Sequence, residues 1–147
     1  MPGSRRTLWI LWAGFLALLV LDLGMPQLVT PRSDPWVAAQ TAVAGFVFAL
    51  FSVAAGVGTF ALREDLLLSG LRTGALDPRT PAGFAQVRRT LFALWTLCLL
   101  IGIFGGVIAY GSATATAAVP YVVAAAVLLA IHAPRDWLFA GPEPGGS

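Results

Sequence analysis

A chain of 147 residues that is 58% apolar and only 11% charged is not composed like a soluble domain, where those fractions run near 45–50% and 25%. One small core cannot hide that much apolar surface, so lipid is the natural solvent. The net charge is only +2, all nine cations are arginine, and the lone Cys98 excludes an intrachain disulfide or a multi-cysteine metal site.

Four apolar runs predict an all-α integral membrane domain. Its four transmembrane helices fall at about 8–29, 36–62, 90–110 and 117–133, arranged as two antiparallel hairpins. Helices are required because lipid cannot satisfy backbone polar groups, and about 20 apolar residues cross a hydrocarbon core of ~30 Å.

The chain opens with Ser4-Arg5-Arg6-Thr7-Leu8-Trp9-Ile10, which resembles a twin-arginine export signal. No small-x-small cleavage site follows promptly, residues 22–26 standing there instead, and Arg-Arg-Thr-Leu recurs at Arg88-Arg89-Thr90-Leu91, so a retained first helix is expected. Leu11-Trp12 likewise recurs as Leu94-Trp95. A parallel duplication of hairpins would produce this, but the second and fourth runs barely match, and basic-then-apolar starts resemble one another by chance.

Residues 8–21 are too few to span a bilayer, so the first helix must continue past Asp22, ~21 Å beyond Leu8 at ~1.5 Å per residue. Asp22 then lies below the headgroups, four residues before Pro26. A carboxylate beside a helix break can form an ion- or proton-sensitive site. The plainer alternative is that the first helix ends early and Asp22 is hydrated or paired with Arg32. Pro26, Pro31 and Pro35 imply an irregular outer connection.

The second run, 36–62, carries no charge and reaches ~40 Å, so it should tilt or project beyond the bilayer. Its small-residue steps, Gly45 with Ala49 and Ser52 with Gly56, suit close packing. Gln40, Thr41, Ser52 and Thr59 suit either hydrogen bonds across a helix interface or a polar lining.

Residues 63–89 form the long polar interval and carry Arg63, Arg72, Arg79, Arg88 and Arg89. With the N-terminus inside, Arg5, Arg6, these five and Arg135 face the cytosol, and Arg32 alone lies outside. That asymmetry predicts cytoplasmic termini and an inner-membrane location. Trp9, Trp12 and Trp137 then belong to the inner aromatic belt, and Trp36, Tyr110 and Tyr121 to the outer one. The interval's first expected role is topological; contacts to membrane lipids or to another membrane subunit come second. Dispersed arginines without an aromatic platform do not suit nucleic acid. Residues 66–71 suit a short interfacial segment, and Thr80 with Pro81 suits a helix start well before the membrane.

In the third run, Gly102-x-x-x-Gly106 presents a small face that Cys98 extends by one turn, fitted to helix packing within the bundle or to self-association. Cys98 itself is expected to be a buried small apolar residue. The fourth run is the shortest, with Pro120 in its first turn and His132 at its inner end, where an interfacial hydrogen-bonding or snorkelling role is expected. The Gly/Pro-rich tail, 141–147, is expected to be disordered.

No phosphate-cradling glycine loop, paired metal ligands or nucleophile–base pattern appears in the sequence. The expectation is therefore a non-enzymatic accessory, assembly or scaffold subunit of a bacterial inner membrane, with no catalytic residue, cofactor or metal. The rival is a small oligomeric transporter or channel using Asp22. A membrane enzyme ranks third, because Asp22 and His132 fall at opposite faces.

Overall fold

The computed structural model describes residues 2–28, 38–112 and 114–139, so the proline-rich connection with Pro31, Arg32, Pro35 and Trp36 and the tail at 141–147 lie outside the described residues. Every regular element within them is helical. The α-helices are α1 (Pro2–Leu28), α2 (Ala38–Arg63), α3 (Ser69–Arg72), α4 (Pro81–Ser112) and α5 (Val119–Ile131). Short 3-10 turns occupy Ala115–Ala118 and Asp136–Phe139.

Three stretches are long and apolar enough to cross a membrane: Arg5–Gly24, Val43–Arg72 and Pro81–Ser112. They mark a membrane-associated chain. The fourth apolar stretch, Ala115–Ile131, is shorter and is 3-10 in its first turn. As expected from the shortness of residues 8–21, α1 runs on through Asp22 to Leu28; the alternative of a helix that ends early is not what the chain adopts, and Pro26 lies within the helix rather than ending it.

The polar interval is far more ordered than its composition suggests. A π-helical turn, Glu64–Leu68, joins α2 to α3, so the helix that starts at Ala38 continues to Arg72. Residues 66–71 are therefore the end of a rod rather than a separate interfacial segment. Leu66, Leu67, Leu68 and Leu71 are strong helix formers. The wider turn inserts one residue and shifts the helical phase, and Leu67 ends fully buried within it. Gly74, at φ +72°, stops the rod in the left-handed conformation that glycine adopts most readily. The Leu76 amide then donates to the Gly70 carbonyl at 2.9 Å.

Thr80 starts α4. Its hydroxyl accepts from the Gly83 amide at 3.1 Å, as a side-chain cap should. Asp77 supports the cap, its carboxylate accepting from the Arg79 amide at 2.9 Å and its carbonyl from the Thr80 hydroxyl at 2.8 Å. A Cβ at Gly83 would overlap the Asp77 carbonyl, so this turn closes only on glycine.

α4 is the central helix. α1, α2 and α5 all pack along it, whereas α1 and α2 scarcely meet. Leu91, Leu94, Trp95, Cys98 and Ile101 supply its buried face, Cys98 being fully buried. α1 runs parallel to it, with Phe15 against Phe92 and Trp95 at 5.3 and 5.8 Å between ring centroids. α2 runs antiparallel, stacking Phe48 on Phe104 at 4.9 Å. α5 also runs antiparallel: Tyr121 lies over Gly105, and the Trp95 indole donates to the His132 carbonyl at 3.0 Å.

Candidate functional site

Three groups of residues carry chemistry, and α4 positions all of them. The first is the arginine-bearing end. There the start of α1, the rod end, the turn at 73–80, the start of α4 and the 3-10 turn Asp136–Phe139 close into a folded cap. Leu8, Leu67, Leu76, Val87, Leu138 and Phe139 are its buried apolar residues. Phe84 packs beside Phe139 at 6.2 Å, and the Arg5 guanidinium sits 5.1 Å over the Phe139 ring, a cation–π contact that ties the two ends of the chain together.

The five arginines of the interval take different places on this cap. Arg63, half-buried at the end of α2, lies within electrostatic reach of Glu64, Arg135 and His132. Arg72 pairs with Glu64 at 2.6 Å on the surface, where such a pair contributes about 0–1 kcal/mol. Arg79 is exposed beside the Asp77 turn. Arg88 and Arg89 are exposed on the first turns of α4, above Phe92.

The second group is Asp22 with the glycines of α4. The sequence presents Asp22 and Gly102-x-x-x-Gly106 as unrelated features, and the fold brings them into one contact. A Cβ at Gly106 would lie 2.8 Å from Asp22 Oδ1, and one at Gly102 would lie 3.4 Å from Oδ2. The carboxylate therefore rests directly on the helix backbone. Its Oδ2 is buried without a hydrogen-bond partner among the described residues. An acidic side chain against bare helix backbone in an apolar surround is costly, and the cost falls if a proton or cation joins it. Ala125 of α5 also reaches Gly102, so three helices converge there.

The third group surrounds His132. An interfacial hydrogen-bonding role was expected, but the side chain is only 1% exposed and neither ring nitrogen has a partner among the described residues. Packing explains the difference: the Trp95 indole holds the His132 carbonyl, and the ring lies against Phe60 at 5.4 Å, sealed beneath α2 and α4. The Trp12 indole donates to the Leu129 carbonyl at 3.0 Å one turn away, so two tryptophans stitch the end of α5 to its neighbours.

The polar residues of α2 divide. Thr59 is buried and turns its hydroxyl back onto the Gly56 carbonyl of its own helix at 2.7 Å. Gln40 is exposed, and the Thr41 side chain lies outside the described residues. Ser52 Oγ is buried without a partner among the described residues, in a cleft of about 350 Å³ that Ala49, Ile101, Pro120, Tyr121 and Ala124 complete. The Tyr121 hydroxyl donates to the Gly45 carbonyl at 3.2 Å, so this residue of the expected outer belt bridges α5 to α2.

Sequence reasoning found Asp22 and the two glycines but not their contact. Gly105, a close approach of α4 to Tyr121 and Ala118, and Trp95, the clasp on His132, also escaped it. A shared helical face was the available signal: Trp95, Cys98, Gly102 and Gly105 recur at spacings of three and four. Among the described residues, no three His, Cys, Asp or Glu side chains gather as metal ligands. No protein-family model, curated protein or solved structure matches the chain.

Proposed function

We propose that this protein is a non-enzymatic accessory or assembly subunit of a bacterial inner membrane, docking a partner through its basic cap. It crosses four times, as two successive up–down pairs, with both termini and the cap in the cytosol. The alternating directions of α1, α2, α4 and α5 support four crossings. So does the length of the last stretch: a 3-10 turn at ~2.0 Å per residue followed by α5 at ~1.5 Å spans ~28 Å, close to a bilayer core of ~30 Å. The arginine distribution supports the orientation.

The observation that carries the docking role is the cap itself. A segment serving topology alone has no need of buried leucines, a capped helix start and a glycine-dependent turn. This one holds Arg72, Arg79, Arg88, Arg89 and Arg135 exposed on an ordered base, and preorganised positive charge favours an acidic partner surface. Gentle-detergent affinity purification should recover a stoichiometric membrane partner, and Arg72→Glu with Arg79→Glu should lose it while the protein remains inserted. Recovery of monomer alone would refute the role. For the orientation, Ala75→Cys in a Cys98→Ala background should resist membrane-impermeant thiol reagents added from outside; labelling there would refute it.

The second reading is a small oligomeric transporter or channel in which Asp22 is the ion- or proton-sensitive group. The unpartnered Oδ2 on the Gly102/Gly106 face favours it. Asp22→Asn should abolish flux in proteoliposomes, and wild-type flux no greater than that of empty liposomes would dismiss this reading.

A further inference from the structure

A groove runs between α1 and α4 at the arginine-bearing end. It has a volume of about 330 Å³ and is lined by Leu11, Arg88, Arg89, Phe92 and Ala93. We propose that it binds one anionic glycerophospholipid, the two guanidiniums taking the phosphate and the apolar wall taking the upper acyl chain. The proposal rests on the cytosolic orientation given above, which puts these arginines at headgroup level.

Charge, depth and shape all favour this occupant. Neither guanidinium has an ion-pair partner among the described residues, so the two arginines that line the groove carry charge no neighbour compensates. Arginine forks match phosphate oxygens in paired hydrogen bonds. The apolar run of α4 begins at once beyond them, so the groove straddles the boundary between headgroups and hydrocarbon. Trp9, 44% exposed and edge-on to Trp12, sits at the same level of α1, where an indole prefers the interface. Above the groove, the exposed residues Phe92, Thr96, Leu100 and Ile103 follow one another along α4 at helical spacing. Thr96 does not interrupt the apolar character of this stripe, because its hydroxyl is turned onto the Phe92 carbonyl at 2.9 Å. From Phe92 to Ile103 the helix rises ~16 Å, about one leaflet of a ~30 Å core. A soluble anion would use the arginines alone; a lipid uses the arginines and the apolar stripe together.

The test is native mass spectrometry of the full chain released from phosphatidylcholine nanodiscs doped with phosphatidylglycerol of the same acyl chains. Wild-type protein should retain one phosphatidylglycerol per protomer in preference to phosphatidylcholine. Arg88→Gln and Arg89→Gln should each lower that preference about fivefold, the effect of removing one cation near an anionic leaflet. Ala93→Trp, which fills the groove but keeps both charges, should lower it too, and Arg72→Gln, outside the groove, should leave it unchanged. Equal retention of both lipids by wild type would overturn the site, as would equal loss in Arg72→Gln. Displacement of the lipid by millimolar inorganic phosphate would reassign the arginines to a free anion and overturn the lipid. Partner recovery is scored separately: a lost partner with the lipid retained strikes the docking role alone, and the converse strikes this groove alone.

Discussion

Gly105→Ala tests the packing argument most directly. The added Cβ would stand 2.7 Å from the Tyr121 Cβ and 3.0 Å from the Ala118 carbonyl oxygen. Ordinary carbon contacts lie at about 3.5–4.0 Å, so α5 must retreat by about 1 Å. Neither neighbour is the tip of a flexible side chain, so no rotamer change relieves the overlap. Overpacking of this kind costs about 1–3 kcal/mol, partly offset by the ~1 kcal/mol that alanine gains over glycine in a helix. Gly58 is the control, because nothing lies within 4 Å of a Cβ there and the helix gain should be realised unopposed. Reversible unfolding in mixed micelles should therefore place Gly105→Ala about 1–3 kcal/mol below Gly58→Ala. Equal midpoints would refute the claim that Tyr121 and the Ala118 carbonyl close directly onto the α4 backbone at Gly105.

Three further substitutions probe separate parts of the molecule. Trp95→Phe removes the donor to the His132 carbonyl and should destabilise by about 1–2 kcal/mol, with faster amide exchange across 132–139; unchanged exchange there would deny the clasp. Thr80→Ala should cost about 1 kcal/mol and expose the Gly83 amide to exchange, and a protected Gly83 would mean that the cap is not formed. His132→Leu removes two buried nitrogens that have no partner among the described residues and should hold or raise the unfolding midpoint; a fall greater than about 1 kcal/mol would reveal that those nitrogens are satisfied in the membrane.

The helical class was legible because apolar runs of this length leave the backbone no other way to satisfy its polar groups. The start of α4 was legible too, since Thr80 and Pro81 carry local chemistry that no distant contact overrides. Composition misled at residues 63–72, where charged side chains suggested a loop although four leucines sustain a helix through a π turn. The Asp22–Gly106 contact and the burial of His132 depend on which faces of separate helices meet, and that is decided by the whole bundle rather than by spacing within one segment. Trp95 illustrates the same limit: its place on an apolar face was visible, but its acceptor lies 37 residues away on another helix.

Because α1 and α2 touch α4 far more than each other, the order of synthesis has a consequence for biogenesis. In the four-crossing arrangement proposed above, α1 and α2 emerge before α4, lack their principal docking surface, and wait in the bilayer as separate lipid-solvated rods. Emergence of α4 is then the committing event, at which the two condense around a newly arrived axis. A nascent chain truncated before Pro81 should leave its two helices free to drift apart.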